Sequence, residues 1–138
     1  GVKPTGNGRR ESYERKVYTR MTNTYFEGAQ EGVTPEDMIA SVKYGFLLES
    51  PSSGMEDPKN WGIQCMVTKA REIKDGKLTG RVFSPIVLTG YVPDLLKSVS
   101  MMSSGLVTCG SGYCGKGYKE WVKVSDGGPY MKARIRLG

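Results

Sequence analysis

The residues with the most chemistry in this chain form one short run, Gly110-Ser111-Gly112-Tyr113-Cys114-Gly115-Lys116. Glycines beside the thiol let the backbone come close to a bound group, and Lys116 puts positive charge two residues away. The chain contains no histidine. A self-contained Cys-His nucleophile is therefore excluded, because the thiol has no imidazole to serve as its base. A closed zinc site needs about four Cys or His donors, and the chain has only three cysteines. The run also lacks the Gly-Lys-Ser/Thr ending with which a phosphate loop grips phosphate and magnesium. Two readings of Cys114 stay open. It donates a single ligand to a metal whose other ligands come from elsewhere, or it fills a small gap while Gly112, Gly115 and Gly117 serve a tight backbone path.

The elements that must position this run follow from composition and pattern. At 138 residues the chain reads as one domain with room for a core. Nineteen glycines and seven prolines point to turns and strands rather than a helical bundle. No apolar run approaches the roughly 20 residues that span a bilayer, no secretory signal is visible at the start, and no membrane role is expected. An odd number of cysteines does not make a disulfide framework, so free thiols in a reducing cytoplasm are expected. Pairing of Cys109 with Cys114 is the lesser alternative.

The net charge of +6 gathers at Arg9, Arg10, Arg15, Lys16 and Arg20 and again at Lys132, Arg134 and Arg136. The second group alternates with Met131, Ala133, Ile135 and Leu137, as on the solvated face of a half-buried strand. Aromatics are not interleaved with the basic residues as an RNA-binding sheet requires, so nucleic acid is not an expected partner.

Residues Gly1 to Gly8 read as a flexible lead-in, and we place a linker or N-terminal extension at residues 1–12 and the domain at 13–138. Tyr13 to Phe26 is strand-like. Thr34-Pro35-Glu36-Asp37 is a helix start, with Thr34 as cap and Pro35 at the first helical position. The spacing predicts a helix over Pro35–Tyr44, stopped at Gly45, then a short strand to Leu48 and a polar loop from Pro51 to Pro58. Asp75-Gly76 suits a two-residue hairpin turn. It predicts Ile73 opposite Leu78, Lys69 opposite Val82, Cys65 opposite Ile86 and Ile63 opposite Leu88. One face then gathers Ile63, Cys65, Val67, Ile73, Leu78, Val82, Ile86 and Leu88, with Cys65 as a core thiol. A second helix is expected over Tyr91–Met102, a glycine-rich loop with short extended pieces over Gly105–Gly117, and strands over Tyr118–Val124 and Tyr130–Leu137 joined by a Ser125–Pro129 turn. The sum is an α+β fold: a mainly antiparallel β sheet, barrel- or sandwich-like, with two helices packed on it.

Three segments carry a resemblance to a known family. Gly6-Asn7-Gly8-Arg9-Arg10 leads to Thr19-Arg20-Met21-Thr22-Asn23-Thr24-Tyr25. Thr34-Pro35-Glu36-Asp37-Met38-Ile39-Ala40-Ser41-Val42-Lys43-Tyr44-Gly45 follows, and Ser104 to Lys116 ends in Cys-Gly-Lys. In order and spacing the set resembles the C-terminal domain of the TldD/PmbA family, described as modulators of DNA gyrase and, for TldD, as a zinc metalloprotease. The likeness runs from Gly6 to Val124.

The resemblance implies that Cys114 is a zinc ligand and that Gly112, Gly115 and Lys116 shape the loop or meet substrate. Arg9 and Arg10 match a family position that could approach substrate or another domain. The other ligands would come from an upstream His-Glu-x-x-x-His helix, whose glutamate would be the general base. The chain would then be one domain of a longer protease that hydrolyses unfolded peptides, with no catalytic residue of its own and no activity alone. A PmbA/TldE-type partner subunit is implied. A non-catalytic protein-interaction or assembly domain is the alternative. An extended peptide could add as a strand beside Thr108 to Tyr113.

Overall fold

The structure, a computed structural model, describes residues 3, 6–29, 31–116 and 120–138, and their side chains except at 109–111 and 120. The elements in chain order are β1 (Gly8–Arg9), β2 (Tyr18–Thr19), α1 (Pro35–Ala40), β3 (Tyr44–Asp57), β4 (Gly62–Lys74), β5 (Lys77–Phe83) and β6 (Ile86–Tyr91). Then come α2 (Val92–Ser98), β7 (Met101–Met102), β8 (Val107–Lys116), β9 (Glu120–Gly128), β10 (Met131–Lys132) and β11 (Arg136–Leu137). They fall into two compact units. One holds residues 1–28 and 105–129, and the other holds 29–104 and 130–138.

The larger unit is built on an open antiparallel sheet in the order β11-β6-β4-β3, with β5 also paired to β4. The sheet does not close into a barrel, which corrects that part of the expectation, while the α+β class with antiparallel strands and two short helices holds. The Asp75-Gly76 turn forms as expected. Both residues have positive φ, 48° and 77°, and Ile73 faces Leu78.

Beyond that turn the register departs from the expected one. Arg71 pairs with Val82 and Ala70 with Phe83, then Val67 with Ile86, Cys65 with Leu88 and Ile63 with Gly90. The physical cause lies under β5. Glu72 is buried, and a buried carboxylate requires partners. Residues Thr79 to Arg81 bulge over it, helped by the positive φ of Gly80. There the Thr79 hydroxyl donates to the carboxylate at 2.8 Å and Arg81 donates at 3.4 Å. Beyond the bulge the pairing has slipped by two residues, so parity survives and Ile63, Cys65, Val67, Ile86 and Leu88 still share a face. Val82 does not join them. It is 53% exposed, and Phe83 takes the place against Ala70. Cys65 is half-buried rather than part of the core.

The expected loop at Pro51–Pro58 is instead the outer half of β3, paired with β4 as far as Asp57 opposite Gly62. Its polar composition reflects exposure on both faces, not irregularity. Pro51 is tolerated because β3 is an edge strand, and the ladder bulges between Pro51 and Ser53. The hairpin closes where the Asp57 carboxylate accepts from the Asn60 side chain at 2.7 Å. That bond, with those from the Lys59 and Asn60 backbone amides, holds Asp57 below its ordinary value.

Helix α1 starts at the Thr34 cap and has a full capping box with Asp37. It ends at Ala40 rather than Tyr44, and Gly45 is a strand residue, not the stop. The chain turns at Ser41, where Val42 donates to Ile39 O at 3.0 Å, and Tyr44 joins the β3 ladder opposite Lys74. Carbonyls left unpaired at the helix end are taken by the hairpin turn, Gly76 donating its amide to Val42 O at 2.8 Å and Asp75 donating to Lys43 O at 2.7 Å. Helix α2 likewise ends early, because Val99 is extended and Met101–Met102 pair with Met131–Lys132. The tail forms two short strands. At the break between them the Arg134 amide donates to Ser98 Oγ at 2.9 Å. Among the described residues, the buried apolar side chains are Met38, Val67, Ala70 and Ile73, all in this unit.

The cap carries a pH dependence. Hydrogen bonds from the Thr34 backbone, then from its hydroxyl, hold Asp37 below its ordinary 3.8. Its stabilisation is therefore complete above that value and lost as pH falls through the lower folded value. Thr34→Ala is expected to cost about 1 kcal/mol at neutral pH. The gap between wild type and variant should narrow below pH 3.8, as checked by urea unfolding at pH 7 and pH 3.

In the smaller unit, β1 pairs with β2 and β8 with β9. The expected strand over Tyr13–Phe26 shrinks to Tyr18–Thr19, because its other apolar residues have no partner strand among the described residues. In place of a loop with short extended pieces, the glycine-rich segment forms one strand, β8, over Val107–Lys116. The expected turn at Ser125–Pro129 lies mostly inside β9, and Gly117 and Tyr118 fall outside the described residues.

Candidate metal-ligand hairpin

The β8–β9 hairpin carries the cysteine that the sequence singles out. Val107, Thr108, Val122 and Val124 favour the extended backbone, and the glycines of β8 leave space for the partner strand's side chains. Cys114 pairs with Val122, Gly112 with Val124 and Lys116 with Glu120. Side chains alternate along a strand, so Gly112, Cys114 and Lys116 share one face. Across from them, Val122 and Val124 are half-buried. The opposite face is exposed and presents Tyr113 and Trp121.

Each candidate has a local role in this frame. Cys114 is a free, half-buried thiol. A Cβ on Gly115 would stand 3.0 Å from the Trp121 ring, so this glycine gives the indole room against the strand. A Cβ on Gly112 would stand 2.9 Å from Asp126 Oδ2, so that glycine makes room for a carboxylate on the Cys114 face. Lys116 donates to Thr19 O at 3.1 Å, and its ammonium stands 6.0 Å from the Tyr18 ring centre. Lys16 approaches the same ring at 5.5 Å. Arg9 donates to Met21 O, and Arg10 is exposed.

Sequence reasoning missed Asp126. Asp-Gly-Gly reads as a turn, whereas Asp126 lies in β9 opposite Cys109 and its carboxylate reaches toward Gly112. It also missed the burial of Arg20, whose amide donates to Asn7 O at 2.8 Å.

A half-buried thiol suits zinc as one soft donor. Among the described residues no group of three His, Cys, Asp or Glu side chains could hold a metal. Cys65 belongs to the other unit, and burial pushes its thiol up from the ordinary 9.0. The described side chains around Cys114 do not make up a ligand set by themselves.

The larger unit is an open antiparallel α+β sheet, and the smaller unit carries Cys114 on a glycine-rich hairpin. The chain belongs to the PmbA/TldA metallopeptidase C-terminal domain family, whose model matches residues 1–135. It is 35% identical over 133 residues to the metalloprotease TldD homolog of Buchnera aphidicola from Acyrthosiphon pisum, covering 96% of this chain and 27% of that one. The Haemophilus influenzae homolog gives the same identity and coverage. The zinc metalloprotease TldD homolog of Saccharolobus solfataricus is 28% identical over 139 residues, covering 100% of this chain and 30% of the relative. The fold resembles the crystal structure of TldE from Thermococcus kodakarensis, with a TM-score of 0.61 at 20% identity over 94% of this chain and 26% of that chain. The chain thus spans between a quarter and a third of its relatives' length. No helix among the described residues is long and apolar enough to cross a membrane.

Proposed function

We propose that this chain is the C-terminal domain of a cytoplasmic TldD-like zinc metalloprotease acting on unfolded peptides, and that it contributes Cys114 as a metal ligand. The observation that carries this reading is the placement of Cys114. It is a free, half-buried thiol on the sheltered face of a glycine-rich hairpin, in a chain whose relatives bear the name metalloprotease. Zinc would supply Lewis-acid chemistry there, with its remaining ligands on a His-Glu-x-x-x-His helix of the longer protein. Gly112 and Gly115 keep the hairpin thin beside the thiol. Among the described residues β8 pairs only with β9, which leaves its outer edge near Thr108 to Tyr113 open for an extended peptide. Alone, the chain neither holds zinc tightly nor cleaves peptides. A PmbA/TldE-type subunit is the proposed partner.

The test is Cys114→Ala in the full-length protein, with zinc measured by atomic absorption after dialysis. The variant is expected to lose more than about 90% of its zinc, since removing a ligand costs at least the 10- to 100-fold in affinity that outer partners cost. Peptide cleavage is expected to fall with it. Retained zinc and retained cleavage would sink the assignment.

One observation favours the assembly reading. In the smaller unit the aromatic side chains Tyr13 and Tyr113 are exposed, and aromatic side chains are enriched at protein interfaces. An intact complex whose zinc and cleavage ignore Cys114 would support that reading instead.

A further inference from the structure

The Cys114 face of the hairpin is electrically asymmetric. On one side of the thiol, the Asp126 carboxylate reaches over Gly112, with Oδ2 2.9 Å and Cγ 3.9 Å from where a Cβ at that position would stand. A side chain at 112 would push the carboxylate aside. On the other side stands Lys116, tied to Thr19 O. Gly112 and Lys116 each lie two residues from Cys114 along β8, about 7 Å in extended chain. The carboxylate and the ammonium therefore bracket the thiol on one face.

We propose that Asp126 sets the charge preference of the bound peptide, by holding a cationic side chain about two residue positions from the point at Cys114. An extended peptide beside β8 advances at the same rise per residue as the strand itself. A lysine or arginine two positions along one direction meets the carboxylate, and an acidic side chain two positions the other way meets Lys116. The charges also fix the direction in which the peptide lies, because a reversed chain puts like charges together. This rests on the proposed reading that an extended peptide lies along the open edge of β8. Asp126 acts here through specificity and takes no part in bond cleavage.

The experiment uses the full-length protein, stripped of metal by chelator, and fluorescein-labelled peptides that differ only by Lys, Gln or Glu at one scanned position. Binding is read by anisotropy at low salt. The expected result is one position at which the Lys peptide binds about fivefold tighter than the Gln peptide, the scale of a partly exposed ion pair. The ratio should shrink with added salt. Asp126→Asn is expected to bring it to about one, and Asp126→Glu to retain it. Asp126→Lys should turn the preference toward Glu. Far-UV circular dichroism identical to wild type shows that the variants fold. A Lys-to-Gln ratio that survives Asp126→Asn overturns the inference, and zinc binding that still depends on Cys114 would then leave the metal assignment standing. Zinc binding that ignores Cys114 removes the metal assignment, and the inference falls with it.

Discussion

Ile73→Ala is expected to destabilise the larger unit by about 3 kcal/mol, the middle of the range for deleting a buried branched side chain. Ile73 is only 3% exposed. It sits between Gly45 of β3 and Leu78 of β5, its two cross-strand neighbours. The described buried apolar set comprises four side chains, so each carries a large share of the packing. A domain of this size has a total stability of about 5–15 kcal/mol, of which this change removes a substantial part. Urea unfolding can be read unit by unit, because Trp61 lies in the larger unit and Trp121 in the smaller. In a Trp121→Phe background the Trp61 transition should move down by about 2 M, taking a slope of about 1.5 kcal/mol per M. A shift below about 0.5 M would place Ile73 outside the load of the core.

Gly76→Ala is expected to cost a similar amount, about 3 kcal/mol, for two separate reasons. The first is conformational. Gly76 has a φ of 77°, a region that costs an L-residue roughly 1–2 kcal/mol. The second is steric. A Cβ at this position would stand 2.7 Å from the Ala40 carbonyl oxygen, which is backbone at the end of α1 and cannot swing away. Relief requires the turn to lift off the helix end, stretching the bonds from Asp75 to Lys43 O and from Gly76 to Val42 O. Asp75→Gly is a control that keeps the turn permissive without adding a Cβ, and should stay within about 1 kcal/mol of wild type. If Gly76→Ala matches that control in urea, the turn does not dock on α1 as described.

The two turn residues also mark where sequence reasoning succeeds. Asp75-Gly76 and the Thr34 cap are decided by the φ and hydrogen-bonding preferences of a few adjacent residues, and both formed where the sequence put them. The family was legible for a related reason, since the short segments ending in Cys-Gly-Lys keep their order and spacing along the chain. Failures came where distant residues decide. Buried Glu72 gathers Thr79 and Arg81 and shifts the β5 and β6 register by two, which no local pattern announces. The outer half of β3 looked like a loop because its ladder partner, β4, is what makes it a strand. Helix α1 was drawn too long because Tyr44 and Gly45 are drawn into the ladder with β4.

For the candidate site the division is the same. The sequence by itself determined that no histidine accompanies Cys114, so that a closed metal site cannot be made from this chain's imidazoles. It also determined that glycines flank the thiol. Only the tertiary structure decided which side of the hairpin Cys114 shares, and with what. Strand parity places Gly112, Cys114 and Lys116 together, and at the irregularity between Cys109 and Gly112 the Asp126 carboxylate comes over Gly112. Residue identity is written locally, whereas pairing register comes from the balance of many cross-strand contacts and buried polar groups.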